Sequence, residues 1–180
     1  MVSKNIEPKN GQVLVIREAQ KKDAAGVLEY VNKMAGETDY LTFGKGEFNM
    51  SLEDEEKFLE SCKESDNQLF VVAEVAGTII GNLSFKGGDK PRILHMGEVG
   101  VTVLKKYWGL GIGTSLVETL IEWAKSSGII KKLNLRVRPD NDRAIRLYER
   151  FGFVREGLIS REHFIDGKFY DSIFMGLQID

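Results

Sequence analysis

The sequence predicts a single-domain α/β fold: a mixed sheet of about seven strands with four helices on its faces. Three observations lead there. Short runs rich in Val, Ile, Leu and Phe alternate with stretches of helical period, in the order strand, helix, helix, three strands, helix, strand, helix, two strands. The chain has 180 residues, enough for one full-sized core. Its 42% apolar and 29% charged residues are the balance of an ordinary globular domain, not of a disordered or membrane-embedded chain.

Residues 1–11 read as an N-terminal tail, and residues 12–19, QVLVIREA, as the first strand. Asp23 stands where a cap belongs for a helix over residues 24–35. Residues 36–50, GETDYLTFGKGEFNM, have no period and read as a loop. Ser51 then opens Ser-x-x-Asp with acids crowding the first turn, which predicts a helix to about residue 64. Residues 67–87 hold two β-rich runs around Gly77, a hairpin. Residues 93–104 are the next strand, in which Gly97 and Gly100 suggest a bulge or a bend. Ile112, Leu116, Leu120 and Ala124 step by four along the following helix, with Val117 and Trp123 beside them and Gly128 as its stop. A strand over residues 131–139 ends at Pro139. Asn141 caps a helix that stops at Gly152, and two long strands, 153–165 and 168–179, join through Asp166-Gly167-Lys168.

Composition removes several function classes. Net charge is −2 and Lys and Arg are scattered, so no nucleic-acid surface is expected. No apolar run reaches the length of a membrane span and MVSKNIEPKN has no signal-like segment, so the expected location is the cytoplasm. A lone cysteine, Cys62, allows no internal disulfide and fits a reducing compartment. Cys62 is either a nucleophile or a small helix residue, and no histidine near it in sequence supports the first reading. His95 and His163 lack partners at ligand spacing, so no metal is expected.

The segment YWGLGIGT, Tyr107–Thr114, carries Gly109, Gly111 and Gly113 between a strand and a helix. Glycines there let a pyrophosphate reach the free amides and the positive end of the helix. A tight turn without a ligand is the plainer alternative. No lysine follows the glycines, which excludes a P-loop. The sixth position from Gly109 is Thr114 and the next strand ends in basic residues, so the dinucleotide fingerprint fails as well.

The segment resembles the cofactor motif Arg/Gln-x-x-Gly-x-Gly/Ala of the GNAT superfamily, the acyl-CoA-dependent N-acyltransferases. Trp108 stands at the Arg/Gln position, as in the branch that resembles ribosomal-protein and polyamine acetyltransferases. A second segment, PDNDRAIRLYERFGFVREG, matches the family pattern at Asn141, Ala144, Leu147, Tyr148, Gly152 and Phe153. The resemblance implies a largely antiparallel sheet, acetyl-CoA (coenzyme A) as cofactor, and an N-acetyltransferase that acts by direct attack in a ternary complex.

It also implies roles for residues. The cofactor would be held by Val101, Thr102 and Val103, where the sheet splays, and by Trp108, Gly109, Leu110, Gly111, Ile112, Gly113 and Thr114. Asn141, Ala144 and Tyr148 complete that set. Tyr148 would also protonate the departing thiolate; a space-filling tyrosine is the alternative. Glu98, a carboxylate expected to be partly buried, is the candidate base, against a salt-bridged strand residue or an ordered water in its place. The acceptor would enter near Glu37, Asp39, Tyr40 and Glu47, where acids with aromatics (Phe43 and Phe48 among them) suit an amine; a solvated acidic loop is the alternative. The acceptor is a small-molecule amine or a protein N-terminus, with no membrane or nucleic-acid partner, and a homodimer is left open. A CoA-binding sensor of the same fold and a nucleotide-binding oxidoreductase are the competing functions.

Overall fold

The computed structural model of the chain describes residues 3–6 and 13–180. The strands are β1 (Ser3–Ile6), β2 (Leu14–Glu18), β3 (Gln68–Val75), β4 (Thr78–Gly87), β5 (Met96–Val103), β6 (Lys132–Val137), β7 (Val154–Ile165) and β8 (Lys168–Gln178). The helices are α1 (Ala24–Ala35), α2 (Leu52–Glu64), α3 (Ile112–Ser127) and α4 (Asp142–Arg150). The strands form one sheet in the order β1-β2-β3-β4-β5-β6-β8-β7. Every neighbouring pair is antiparallel except β5 and β6, which run parallel.

The strand beyond the expected seven is β1. It lies inside the expected N-terminal tail and pairs with β2, Ser3 opposite Arg17 and Ile6 opposite Leu14. The rest of that tail, and Gln12 of the first expected strand, lie outside the described residues. A second difference is at Asp23. Its side chain does not cap α1. Instead it accepts from the Gln20 amide at 2.7 Å and from both Arg17 Nη atoms at 2.7 and 2.9 Å. A charged fork outcompetes an ordinary cap. Ser51 behaves as expected, with Oγ accepting from the Asp54 amide at 3.1 Å.

The two sides of the sheet carry different helices. Phe85 of β4 and Val99 of β5 are opposite each other, and Trp123 of α3 meets Phe85 edge-on at 5.5 Å. Asn82 and Thr102 form an opposite pair of the other parity, and Thr102 meets Tyr30 of α1. Phe58 of α2 packs edge-on against Phe70, opposite Ser84 on that same side. So α3 covers one face, and α1 and α2 cover the other. Ile112, Leu116, Val117, Leu120 and Ala124 are buried, as their spacing predicts.

Strand β5 begins three residues later than expected, because residues 91–95 are spent in turns: Ile93 donates to Lys90 O and Met96 to Ile93 O. Its glycines do not mark a bulge, since the β4–β5 register is unbroken from Gly81–Val103 to Gly87–Gly97. Gly97 answers to close packing. A Cβ there would lie 2.3 Å from Lys86 O and 2.5 Å from Phe85 Cζ.

Candidate active site

The parallel pair β5–β6 holds for only three positions, Met96–Lys132 to Glu98–Asn134. Beyond them β5 stays on β4 and β6 stays on β8. The two strands therefore part like a wedge, and a cavity of about 1090 Å³ opens between them. Gly100, Val101 and Thr102 line one wall, and Val137 and Arg138 the other. The glycine turn, the start of α3 and one side of α4 close the remaining edge.

The glycine turn is built for a close approach. Gly109 and Gly111 have φ of 81° and 83°, the left-handed region that disfavours a side chain. The first bond of α3 runs from Ser115 N to Gly111 O at 3.0 Å, and no side chain caps the helix. The amides of Ile112, Gly113 and Thr114 are left for a ligand, with the helix dipole behind them. Trp108 does not reach toward that ligand in place of the usual Arg or Gln. Its Nε1 donates to Val103 O at 2.7 Å, which ties the turn to the end of β5.

Three cations that the sequence reading missed share the cavity with these amides. Arg143, Arg146 and Arg150 of α4 all line the cavity. The Arg143 guanidinium lies 4.7 Å from the Trp108 ring centre, and Arg150 Nη2 donates to Thr114 Oγ1 at 2.8 Å. Their spacing of three and four places them on one helix face, a signal present in the sequence. Open amides, a helix N-terminus and a row of guanidinium groups form a donor set that fits a diphosphate.

Asn141 and Ala144 lie where the motif requires them. Asn141 Oδ1 accepts from the Ala144 amide at 3.2 Å, so the pair starts α4 as well as lining the cavity. Tyr148, one turn further on, lines the same cavity with its ring 5.6 Å from Phe153. Burial pushes its phenol up to about 12, so it keeps its proton at neutral pH.

Several expected site residues stand elsewhere. Leu110 is exposed and does not line the cavity. Glu98 is not a partly buried base. Its side chain is 50% exposed, it is ion-paired to Arg136 at 2.9 Å, and it is absent from the cavity wall. Glu37 accepts from the Lys105 amide at 2.7 Å, and Glu47 from the Gly44 amide at 2.7 Å. Both carboxylates hold the loop in shape. Asp39 contributes its carbonyl oxygen, which accepts from Arg138 Nη1 at 3.2 Å. Of the expected acceptor residues, Tyr40 lines the cavity. Cys62 is buried, its thiol is pushed up to about 11 by that burial, and it lies away from this cleft.

Arg138 is the centre of the cavity wall opposite β5. It is buried to 8% exposure, grips Asp140 through Nε at 3.0 Å and Nη2 at 2.5 Å, and stacks on Tyr170 at 3.9 Å. Tyr40 lies on the same guanidinium at 5.0 Å. One side chain thus joins the 36–50 loop, the end of β6, the start of α4 and β8.

Comparison with known proteins bears on the family and the fold. The model of the acetyltransferase (GNAT) family matches residues 35–153. A GNAT-family acetyltransferase from Streptococcus pneumoniae has the same architecture with a TM-score of 0.90 at 37% identity, covering 93% of this chain and 99% of that one. A ribosomal-protein-alanine N-acetyltransferase from Brucella melitensis superimposes with a TM-score of 0.79 at 26% identity, over 91% and 98% of the two chains. An N-alpha-acetyltransferase from Sulfurisphaera tokodaii is 29% identical over 170 residues, 90% of this chain and 92% of its own. The oxidoreductase alternative falls with this match. No helix among the described residues is long and apolar enough to cross a membrane. The chain belongs to the acetyltransferase (GNAT) family, whose members transfer an acetyl group from acetyl-CoA to an amine.

Proposed function

We propose that this N-acetyltransferase works by direct attack of a primary amine in a ternary complex, with the β5–β6 wedge as the meeting place. The observation that carries the proposal is the continuity of one cleft from the glycine turn, along the unpaired edge of β5, to Tyr148. Acetyl-CoA supplies the acetyl group as a thioester, whose C–S bond breaks as the C–N bond forms.

The chain's own residues have separate tasks. The amides of Ile112, Gly113 and Thr114 bind the pyrophosphate, and Arg143, Arg146 and Arg150 offset its charge. Residues 99–103 offer backbone N–H groups toward the carbonyl where negative charge develops. Tyr148 offers its phenolic proton to the departing sulfur. A phenol at about 12 is a weaker acid than a thiol near 8.5, so Tyr148 keeps its own proton and serves as a hydrogen-bond donor to the sulfur as that atom gains charge. Solvent at the open mouth takes the proton of the amine, since Glu98 is tied to Arg136. An acyl-enzyme on cysteine has no support, because the chain's one cysteine is buried away from the cleft.

The acceptor is a small-molecule primary amine or a protein N-terminus, entering beside Tyr40 and Arg138. A thiol-release assay across polyamines, amino acids, amino sugars and peptides with a free N-terminus tests this. Release that depends on one of these classes supports the reading. Acetyl-CoA binding with no release for any amine would favour the sensor.

A further inference from the structure

The stretch of β5 that faces the wedge has a strand partner on one side only. Residues 99–103 pair with β4 and have left β6 behind. A backbone segment with one free edge moves more easily than one held on both sides. Yet this is the segment whose amides must be fixed in advance if they are to stabilise developing charge.

A second restraint crosses from α1. Tyr30 is buried to 3% exposure, and its hydroxyl lies 2.8 Å from Thr102 Oγ1. Thr102 Oγ1 donates in turn to Asn82 Oδ1 on β4. A threonine hydroxyl has one proton. Thr102 gives that proton to Asn82, so the Tyr30 hydroxyl is the donor to Thr102. Burial pushes the Tyr30 phenol up, which keeps it in the donating form. The chain of hydrogen bonds runs α1 to β5 to β4 in one direction. It meets β5 at Thr102, inside the cavity wall and within the one-sided stretch.

We propose that Tyr30 is a positioning residue for acetyl transfer, acting through Thr102 to hold the unpaired stretch of β5 in the geometry that the thioester requires. Tyr30 does not line the cavity and touches neither substrate directly. The proposal rests on the reading that residues 99–103 face the reacting carbonyl.

Tyr30→Phe removes one hydroxyl and keeps the buried ring. The expected result is a fall in kcat on the order of 10- to 100-fold, the cost of a small misplacement at a reacting centre. The acetyl-CoA Kd and both KM values should stay within about twofold, because the phosphate-binding amides sit on α3 and not on β5. In the cofactor-free protein, amide exchange should quicken at residues 99–103 and stay unchanged at residues 96–98, which β6 still holds. Thr102→Val breaks the same relay, so Tyr30→Phe on that background should cost little more. A Tyr30→Phe enzyme with parental kcat and parental exchange at residues 99–103 overturns the proposal. So does a uniform rise in exchange across the sheet, which would make the hydroxyl a general stabiliser. Altered exchange at residues 99–103 with parental kcat would overturn instead the reading that this segment serves the carbonyl.

Discussion

The two ends of the cleft are made from different materials. The end proposed for the cofactor is mostly backbone: a glycine turn, three unspent amides and the dipole of α3, flanked by arginines on one face of α4. The end proposed for the acceptor is mostly side chain: Arg138 gripping Asp140, with Tyr170 and Tyr40 on its faces and the 36–50 loop hung from it. Backbone presents the same groups whatever side chain follows, so the first end suits a cofactor common to many enzymes. A stacked guanidinium depends on each of its partners, so the second end can differ from one enzyme to the next while the first stays the same.

That contrast can be broken most severely at Gly111. Gly111→Val puts a β-branched residue at φ of 83°, at a cost of about 1–2 kcal/mol or more. The turn must shift, and the amides of Ile112 and Gly113 shift with it. Calorimetry should show acetyl-CoA affinity weakened by about 100-fold or more, while the melting temperature confirms a folded protein. Parental affinity would place the phosphates elsewhere.

Arg138→Met should act at the other end alone. It keeps much of the length and loses the charge-assisted hydrogen bonds, worth about 1.5–3 kcal/mol together with their ordering of the loop. The acceptor KM should rise about 10-fold with an unchanged acetyl-CoA Kd. A drop in cofactor affinity of similar size would mean that the two ends are coupled.

Glu37→Gln and Glu47→Gln should do less. Each carboxylate accepts from a main-chain amide at an exposed position, and an amide oxygen can replace it. An acceptor KM within about threefold of the parent is expected, the scale of one exposed hydrogen bond. A large rise for a cationic amine would instead make these acids the recognition surface. Glu98→Gln should be the mildest. An exposed ion pair contributes about 0–1 kcal/mol, so kcat and its pH profile should match the parent. Loss of the low-pH limb of that profile would restore Glu98 as the base.

The same contrast explains what the sequence could reveal. The cofactor end is written locally: Gly109, Gly111 and Gly113 sit next to each other in the chain, and Asn141, Ala144 and Tyr148 lie on two turns of one helix. The proposed acceptor end is assembled from three distant segments, and no spacing in the sequence joins Tyr40, Arg138 and Tyr170. The choice between the two readings of Glu98 was illegible for a related reason. Its strand was legible, but the partner that neutralises it, Arg136, lies on the next strand across the wedge. Strand β1, with the sequence Ser-Lys-Asn-Ile, has no apolar alternation and exists by adding to the open edge of β2. Asp23 had the right residue type for a cap, and Arg17 claimed it.

The most direct test of the account is Tyr148→Phe, measured twice in one variant. The ring stays against Phe153 and only the hydroxyl is lost, so folding should be preserved. With acetyl-CoA and an accepted amine both saturating, kcat should fall by about 10²–10³-fold, the range for losing a positioned hydrogen-bond donor to developing charge. The acetyl-CoA Kd should not change, because the hydroxyl acts as the sulfur gains charge. In the parent, kcat should show no falling limb between about pH 8 and 10, since the phenol loses its proton only near 12. An unchanged kcat, or a weakened Kd with normal turnover at saturation, would contradict the account and leave Tyr148 as a core or binding residue.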